Sequence, residues 1–272
     1  MDARLQRRVQ RYGWDLAAED YEPLWQDQLA DARRALLDLA SARPGQQVLD
    51  VACGTGLVAL AVAQAVGPAG SVLGTDLSGA MVAAAARRAQ DRGLAQARFL
   101  RMDAEALALA DGSFDLVLCA LGLMYVPDPA QALREMHRVL RPGGRLALAV
   151  WGERARCGWA PLFPIVDAEV ASEVCPLFFG LGHGEALAHQ CAAAGFGSIA
   201  SRRIESVLAY ADGQQACDAA FLGGPVALAW SRFDAAARLR VRRRYLEAIA
   251  PWRTGAGYRL PAEFVLVTGR RA

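Results

Sequence analysis

A chain of 272 residues, 54% hydrophobic and 21% charged, has the composition of a folded globular protein rather than a disordered one, and is long enough for one large domain or for one domain with a small cap. A net charge of +2, with every one of the 30 basic residues an arginine, gives no electrostatic reason to expect nucleic acid. Six scattered cysteines, with no C-x-x-C pair and no histidine at ligand spacing, argue against a structural metal and for free thiols in a reducing cytoplasm. The amino terminus lacks an apolar core of signal-peptide length, and the longest apolar run, 116–126, falls short of the roughly 20 residues that span a bilayer, so no membrane contact is expected. The arginine, alanine and glycine bias reads as GC-rich bacterial coding.

Residues 1–41 read as a helical cap, with Leu24, Trp25, Gln28, Leu29, Ala32, Leu36 and Leu37 forming a stripe that Arg43-Pro44-Gly45 ends. From residue 42 the texture alternates. QQVLDVA is a strand, LVALAVAQAVG a helix, SVLGTD a strand, Ser78 to Gly93 a helix, ARFLRMD and FDLVLCA strands, Pro129 to Leu140 a helix stopped by Arg141-Pro142-Gly143-Gly144, and RLALAVWG a strand. Apolar strands alternating with helices predict an α/β fold, a Rossmann-like, seven-stranded, mostly parallel sheet covered on both faces, with its core at 42–151. Beyond it, 152–190 reads as an irregular substrate-side insertion. Residues 191–211 and 257–272 bring the completing strands IASRRIESVLAY and EFVLVTGR, and 212–256 forms a helical lid between them.

The stretch VLDVACGTG (48–56) turns a strand into a helix through two glycines, bringing backbone close to a ligand. Gly54-Thr55-Gly56-Leu57-Val58-Ala59 fits the G-x-G-x-x-A fingerprint of NAD(P) enzymes, and Asp76 stands where a ribose-binding acid would. An oxidoreductase is therefore one reading. Asp50 disfavours it, because a pyrophosphate at a helix amino terminus wants amide donors and no nearby carboxylate. A ligand with a positive charge at that end, such as S-adenosylmethionine, suits the acid better.

At this point the chain resembles the class I S-adenosylmethionine-dependent methyltransferases, and most nearly their ubiquinone/menaquinone C-methyltransferase-like branch. Asp50-x-Ala52-x-Gly54-x-Gly56 matches the first motif, with alanine standing for its first glycine. GTDLSGAM (74–81) and RMDAEALALADGSFDLVLCALGLMYVPDPAQALREMHRVLRPGG (101–144) follow in order. The resemblance implies a methyl transfer to a small, partly apolar or aromatic acceptor by in-line displacement. S-adenosyl-L-methionine is the implied methyl donor. Asp50 would orient the methionine ammonium, and Ala52, Cys53, Gly54 and Gly56 would run beneath the methionine and ribose. Asp76 would accept from the ribose hydroxyls, Leu77 and Met81 pack on the adenine, and Asp103 and Ala104 meet its edge. Ala120 would line the gap where the methyl emerges, and Tyr21 would reach the methionine end from the cap.

After residue 152 the resemblance fades. Met124, Tyr125, Trp151, Phe178 and Phe179 are the candidate acceptor wall. No catalytic base is identified; Tyr125 and His183 are the candidates, and the sulfonium's own activation lets positioning carry most of the catalysis. The arginine run from Arg238 to Arg244 carries an apolar helical stripe and reads as a solvated helix face. A homodimer is compatible with the sequence, and a cofactor-binding protein without turnover is the third reading.

Overall fold

The computed structural model describes residues 3–171, 175 and 177–272. Helices α1 (Ala3–Ala17), α2 (Tyr21–Trp25) and α3 (Ala30–Ala40) precede the sheet. The alternating core follows as β1 (Gln47–Val51), α4 (Leu57–Val66), β2 (Ser71–Asp76), α5 (Gly79–Asp91), β3 (Ala97–Arg101), β4 (Phe114–Ala120), α6 (Pro129–Val139) and β5 (Leu140–Trp151). Then come α7 (Leu162–Val170), α8 (Ala186–Ala193), β6 (Phe196–Tyr210), α9 (Gly213–Phe221), α10 (Ala227–Arg232), α11 (Ala235–Ile249), β7 (Arg253–Thr254) and β8 (Gly257–Arg271).

The strands lie in the order β3-β2-β1-β4-β5-β8-β6, parallel throughout except β8, which runs antiparallel to both β5 and β6. The short β7 forms a hairpin with β8. The expected seven strands are thus the continuous path, and the hairpin strand adds an eighth. Strand β8 is also longer than the EFVLVTGR run, because Leu260 and Ala262 around Pro261 still pair with β6. Proline is tolerated there because the side of β8 that faces β5 farther along faces a loop at this point, where Gly158 donates to the Pro261 carbonyl at 2.8 Å. Residues Arg141–Gly144, expected as a helix stop, already belong to β5, at the point where its register with β4 shifts.

The core lies on both faces of β1, β4 and β5, whose residues Leu49, Leu116, Leu118, Leu148 and Val150 are fully buried. Burial on both faces is why these strands read as unbroken apolar runs. Strand β1 has β2 on one side and β4 on the other, so its carboxyl end is the topological switch point where open α/β sheets bind ligands. Among the described residues no helix is long and apolar enough to cross a membrane.

Candidate active site

Three residues of the loop leaving β1 adopt left-handed backbone: Ala52 (φ 55°), Gly54 (φ 54°) and Gly56 (φ 87°). The alternation folds the loop back under β2. The Cys53 amide donates to the Thr75 carbonyl at 2.9 Å, and the Gly54 amide to Asp76 Oδ2 at 2.9 Å. Ala52 bears the strain that the family's glycine would avoid. The loop after β4 lies so close that a Cβ at Gly122 would stand 2.3 Å from that of Ala52. Beside it Leu121 is also left-handed, at φ 58°.

Above these loops lies a cavity of about 780 Å³, walled by Tyr21, Ala52, Gly54, Asp76, Leu77, Met81, Asp103, Ala104, Ala120 and Tyr125 among others. Asp76 holds it open in a fixed way, since Oδ1 accepts from the Ser78 amide at 2.9 Å while Oδ2 takes Gly54. Each oxygen keeps a lone pair for a ligand. Burial pushes the Asp76 carboxyl up to about 6, against the pull of those amides. Asp103 Oδ1 accepts from the Glu105 amide at 3.0 Å, and Oδ2 pairs with Arg7 at 3.1 Å.

A second cavity of about 510 Å³ shares Tyr21, Ala52, Gly54, Ala120 and Leu121 with the first and adds Asp50, Cys53 and Arg33. Asp50 is fully buried, and neither carboxyl oxygen has a hydrogen-bond partner among the described residues. Burial lifts its carboxyl to about 8; the Ala59 amide tempers the shift without making a hydrogen bond. Tyr21 is pushed to about 12, by burial first and then by Asp76.

Three polar side chains tie the cap to the loops and helices around the cavity. Arg7 pairs with Asp103 and Glu105, Asp15 accepts from Ser78 Oγ at 2.6 Å and the Ala80 amide at 3.2 Å, and Glu22 pairs with Arg88 and accepts from Thr55 Oγ1 at 3.1 Å. The sequence reading missed Arg7, Trp14, Arg33 and Leu121, which line the cavities from the cap and from the β4 loop.

Several expected site residues stand elsewhere. Gly56 lines neither cavity; its Cα faces Ala85 and Leu60, so its role is close helix packing. Met124 is buried in the core. Phe178 is buried behind Tyr125, edge-on at 5.3 Å, and Phe179 packs on Phe178 at 4.8 Å, so both support the wall from behind. His183 also stands apart from the cavities. Its side chain is 83% exposed with Nδ1 3.9 Å from Glu153, outside every cavity described here. Trp151 lines neither of the first two cavities but a third, with Tyr125.

Residues 48–144 match the family model of a methyltransferase domain. They form a class I S-adenosylmethionine-dependent methyltransferase domain. Over 133 residues the chain is 41% identical to a ubiquinone/menaquinone biosynthesis C-methyltransferase of Hahella chejuensis, covering 48% of this chain and 51% of that one. The chain spans about half the length of the curated relatives it matches. The fold is similar to that of a methyltransferase structure from Bacillus halodurans, with TM-score 0.64 and 20% identity over 88% of this chain and 98% of that one. A phosphoethanolamine N-methyltransferase of Haemonchus contortus, solved in complex with S-adenosyl-L-methionine, aligns with TM-score 0.61 and 17% identity, over 94% of this chain and 57% of that one. In the methyltransferase domain the matched segment supplies β1 to β4 and their loops, whereas Arg7, Trp14, Tyr21 and Arg33 come from outside it.

Proposed function

We propose that the protein transfers a methyl group from S-adenosyl-L-methionine to a small, partly apolar or aromatic acceptor. The observation that carries this reading is the meeting of an acid and a base in the second cavity. The buried Asp50 carboxyl, without a hydrogen-bond partner among the described residues and therefore protonated at neutral pH in the ligand-free chain, shares one wall system with the Arg33 guanidinium. An amino-acid zwitterion answers both, its ammonium to Asp50 and its carboxylate to Arg33. An ammonium would draw the proton from Asp50 and pair with the carboxylate, whereas a diphosphate brings no cation to do so, and a nicotinamide dinucleotide fits poorly.

The remaining contacts follow the cavity. Asp76, with one free lone pair on each oxygen, would accept from the ribose hydroxyls. Leu77 and Met81 would sandwich the adenine, with Asp103 and the Ala104 amide toward its edge. Arg7, already on Asp103, would hold that acid in place. When bound, the donor supplies a methyl already activated by its sulfonium, and the electron pair of the broken carbon–sulfur bond stays on sulfur. The chain's own residues then align the acceptor and exclude water. Tyr21 and Tyr125 both titrate above their usual range because of burial, so neither serves as a base near neutrality. Six free cysteines support a reducing, cytoplasmic setting.

Calorimetry with S-adenosylhomocysteine and NADH side by side tests the reading. The expectation is micromolar or tighter binding of the former, about −8 kcal/mol, and none of the latter. NADH binding without S-adenosylhomocysteine binding overturns it.

A further inference from the structure

A third cavity, of about 320 Å³, opens beside the first and shares Trp14, Tyr21, Leu121 and Tyr125 with it. Its remaining walls are Trp25, Leu29, Trp151, Trp159 and the turn Gly223-Gly224-Pro225, so among the described residues six aromatic side chains surround it and no charged one does.

Among these rings Trp159 is unusual. It is 1% exposed, held by Trp25, Trp151, Phe163, Phe178 and Phe179 at centroid distances from 4.7 to 6.0 Å. Its indole Nε1–H nonetheless has no hydrogen-bond partner among the described residues. Trp25, on the same wall, satisfies the same group by donating to the Ala219 carbonyl at 3.1 Å. A buried donor left without an acceptor destabilises the fold, and tryptophan N–H groups ordinarily find a partner when buried. The same position could have been filled by phenylalanine at no polar cost.

We infer that the third cavity receives the methyl acceptor and that Trp159 orients it, the indole N–H donating to an oxygen carried on a flat, uncharged ring. The inference rests on the methyltransferase reading. An ionised acceptor would be desolvated here with no counter-charge on the wall. A ring is favoured by the aromatic faces, which reward stacking and edge contacts. The shared residues Tyr21, Leu121 and Tyr125 set the ring directly beside the donor's cavity, and the left-handed backbone at Leu121 fixes that partition. Trp159 lies outside the matched domain, in the segment where acceptor choice would reside.

The probes are 1-naphthol and 1-methylnaphthalene, equal in ring and nearly equal in size, with and without the oxygen. Calorimetry with S-adenosylhomocysteine comes first, because its failure overturns the methyltransferase reading itself. Titrations of the S-adenosylhomocysteine-saturated protein are then followed through the 15N indole resonances of its six tryptophans. The wild type should bind 1-naphthol roughly fivefold to tenfold more tightly than the hydrocarbon, the scale of one hydrogen bond. One indole resonance should move with naphthol alone. Trp159→Phe should lack that resonance and lose the preference, while keeping S-adenosylhomocysteine affinity. Equal affinities of the wild type for the two probes overturn the inference, and so does a preference that survives in Trp159→Phe. The wild-type comparison decides by itself if the variant does not fold.

Discussion

Replacing Asp50 by asparagine should make the ligand-free protein more stable and the liganded one harder to form. The carboxyl is held near 8 in the folded chain against an ordinary 3.8, because burial without a partner disfavours the charge. A carboxyl raised on folding weakens the fold as pH climbs from its unfolded to its folded value. At pH 7 the folded chain keeps the proton that the unfolded chain has released, a gap of about three pH units and so about 4 kcal/mol. At pH 5 the gap is about one unit, or about 1.6 kcal/mol by the same relation. Asparagine leaves similar polar atoms unpaired as the protonated acid does, so that contribution cancels, and Asp50→Asn should be the more stable protein by about 4 kcal/mol at pH 7 and under 2 at pH 5. Asp76, raised to about 6, contributes a slope of the same sign to both proteins, so the difference between them isolates Asp50. Urea unfolding of both ligand-free proteins at the two pH values measures it. Calorimetry should record a loss of about 1.5–3 kcal/mol in S-adenosylhomocysteine binding, the scale of a charge-assisted hydrogen bond. A variant no more stable than wild type at pH 7, or a gap that does not change with pH, would refute the reasoning.

Two further expectations concern the walls. Gly122→Ala places a methyl group 2.3 Å from the Ala52 Cβ and should cost about 1–3 kcal/mol by overpacking, while displacing the glycine loop and weakening S-adenosylhomocysteine binding; an unchanged melting midpoint would contradict it. Phe178→Ala removes a buried ring behind Tyr125 and should cost about 3–5 kcal/mol of stability, read by urea unfolding. Wild-type stability with altered acceptor kinetics would instead put Phe178 on the pocket surface.

The parts of this molecule that were legible in sequence are those governed by local pattern. Strands β1, β4 and β5 announced themselves because burial on both faces demands unbroken apolar runs, and the loop after β1 because left-handed backbone favours glycine. Asp50 and Asp76 were found as acids ending strands. What stayed hidden depends on distant pairings. Arg7 pairs with Asp103 from a helix far earlier in the chain, and Arg33 lines the same cavity as Asp50 from a helix whose pattern shows only an apolar stripe. The aromatic-rich 152–190 segment could be recognised as wall material, but its composition could not say that Trp159 faces the cavity while Phe178 stands behind it. His183, a candidate base from the divergent segment, has an exposed side chain, which no sequence pattern there foretells.

The pairing of Tyr210 with Tyr258 has an evolutionary reading. The two residues stand side by side in the β6–β8 ladder, so everything between them, α9, α10, α11 and the β7 hairpin, leaves and re-enters the sheet at one closed doorway. Lengthening such a detour changes the closure entropy only logarithmically, about 0.6 kcal/mol for each doubling. The Gly223-Gly224-Pro225 wall rides on that detour, whereas the cofactor loops are strung between strands that cannot shift register without turning their side chains over. Descendants of this chain could therefore be refitted for new acceptors by swapping one cassette, with the donor machinery left in place.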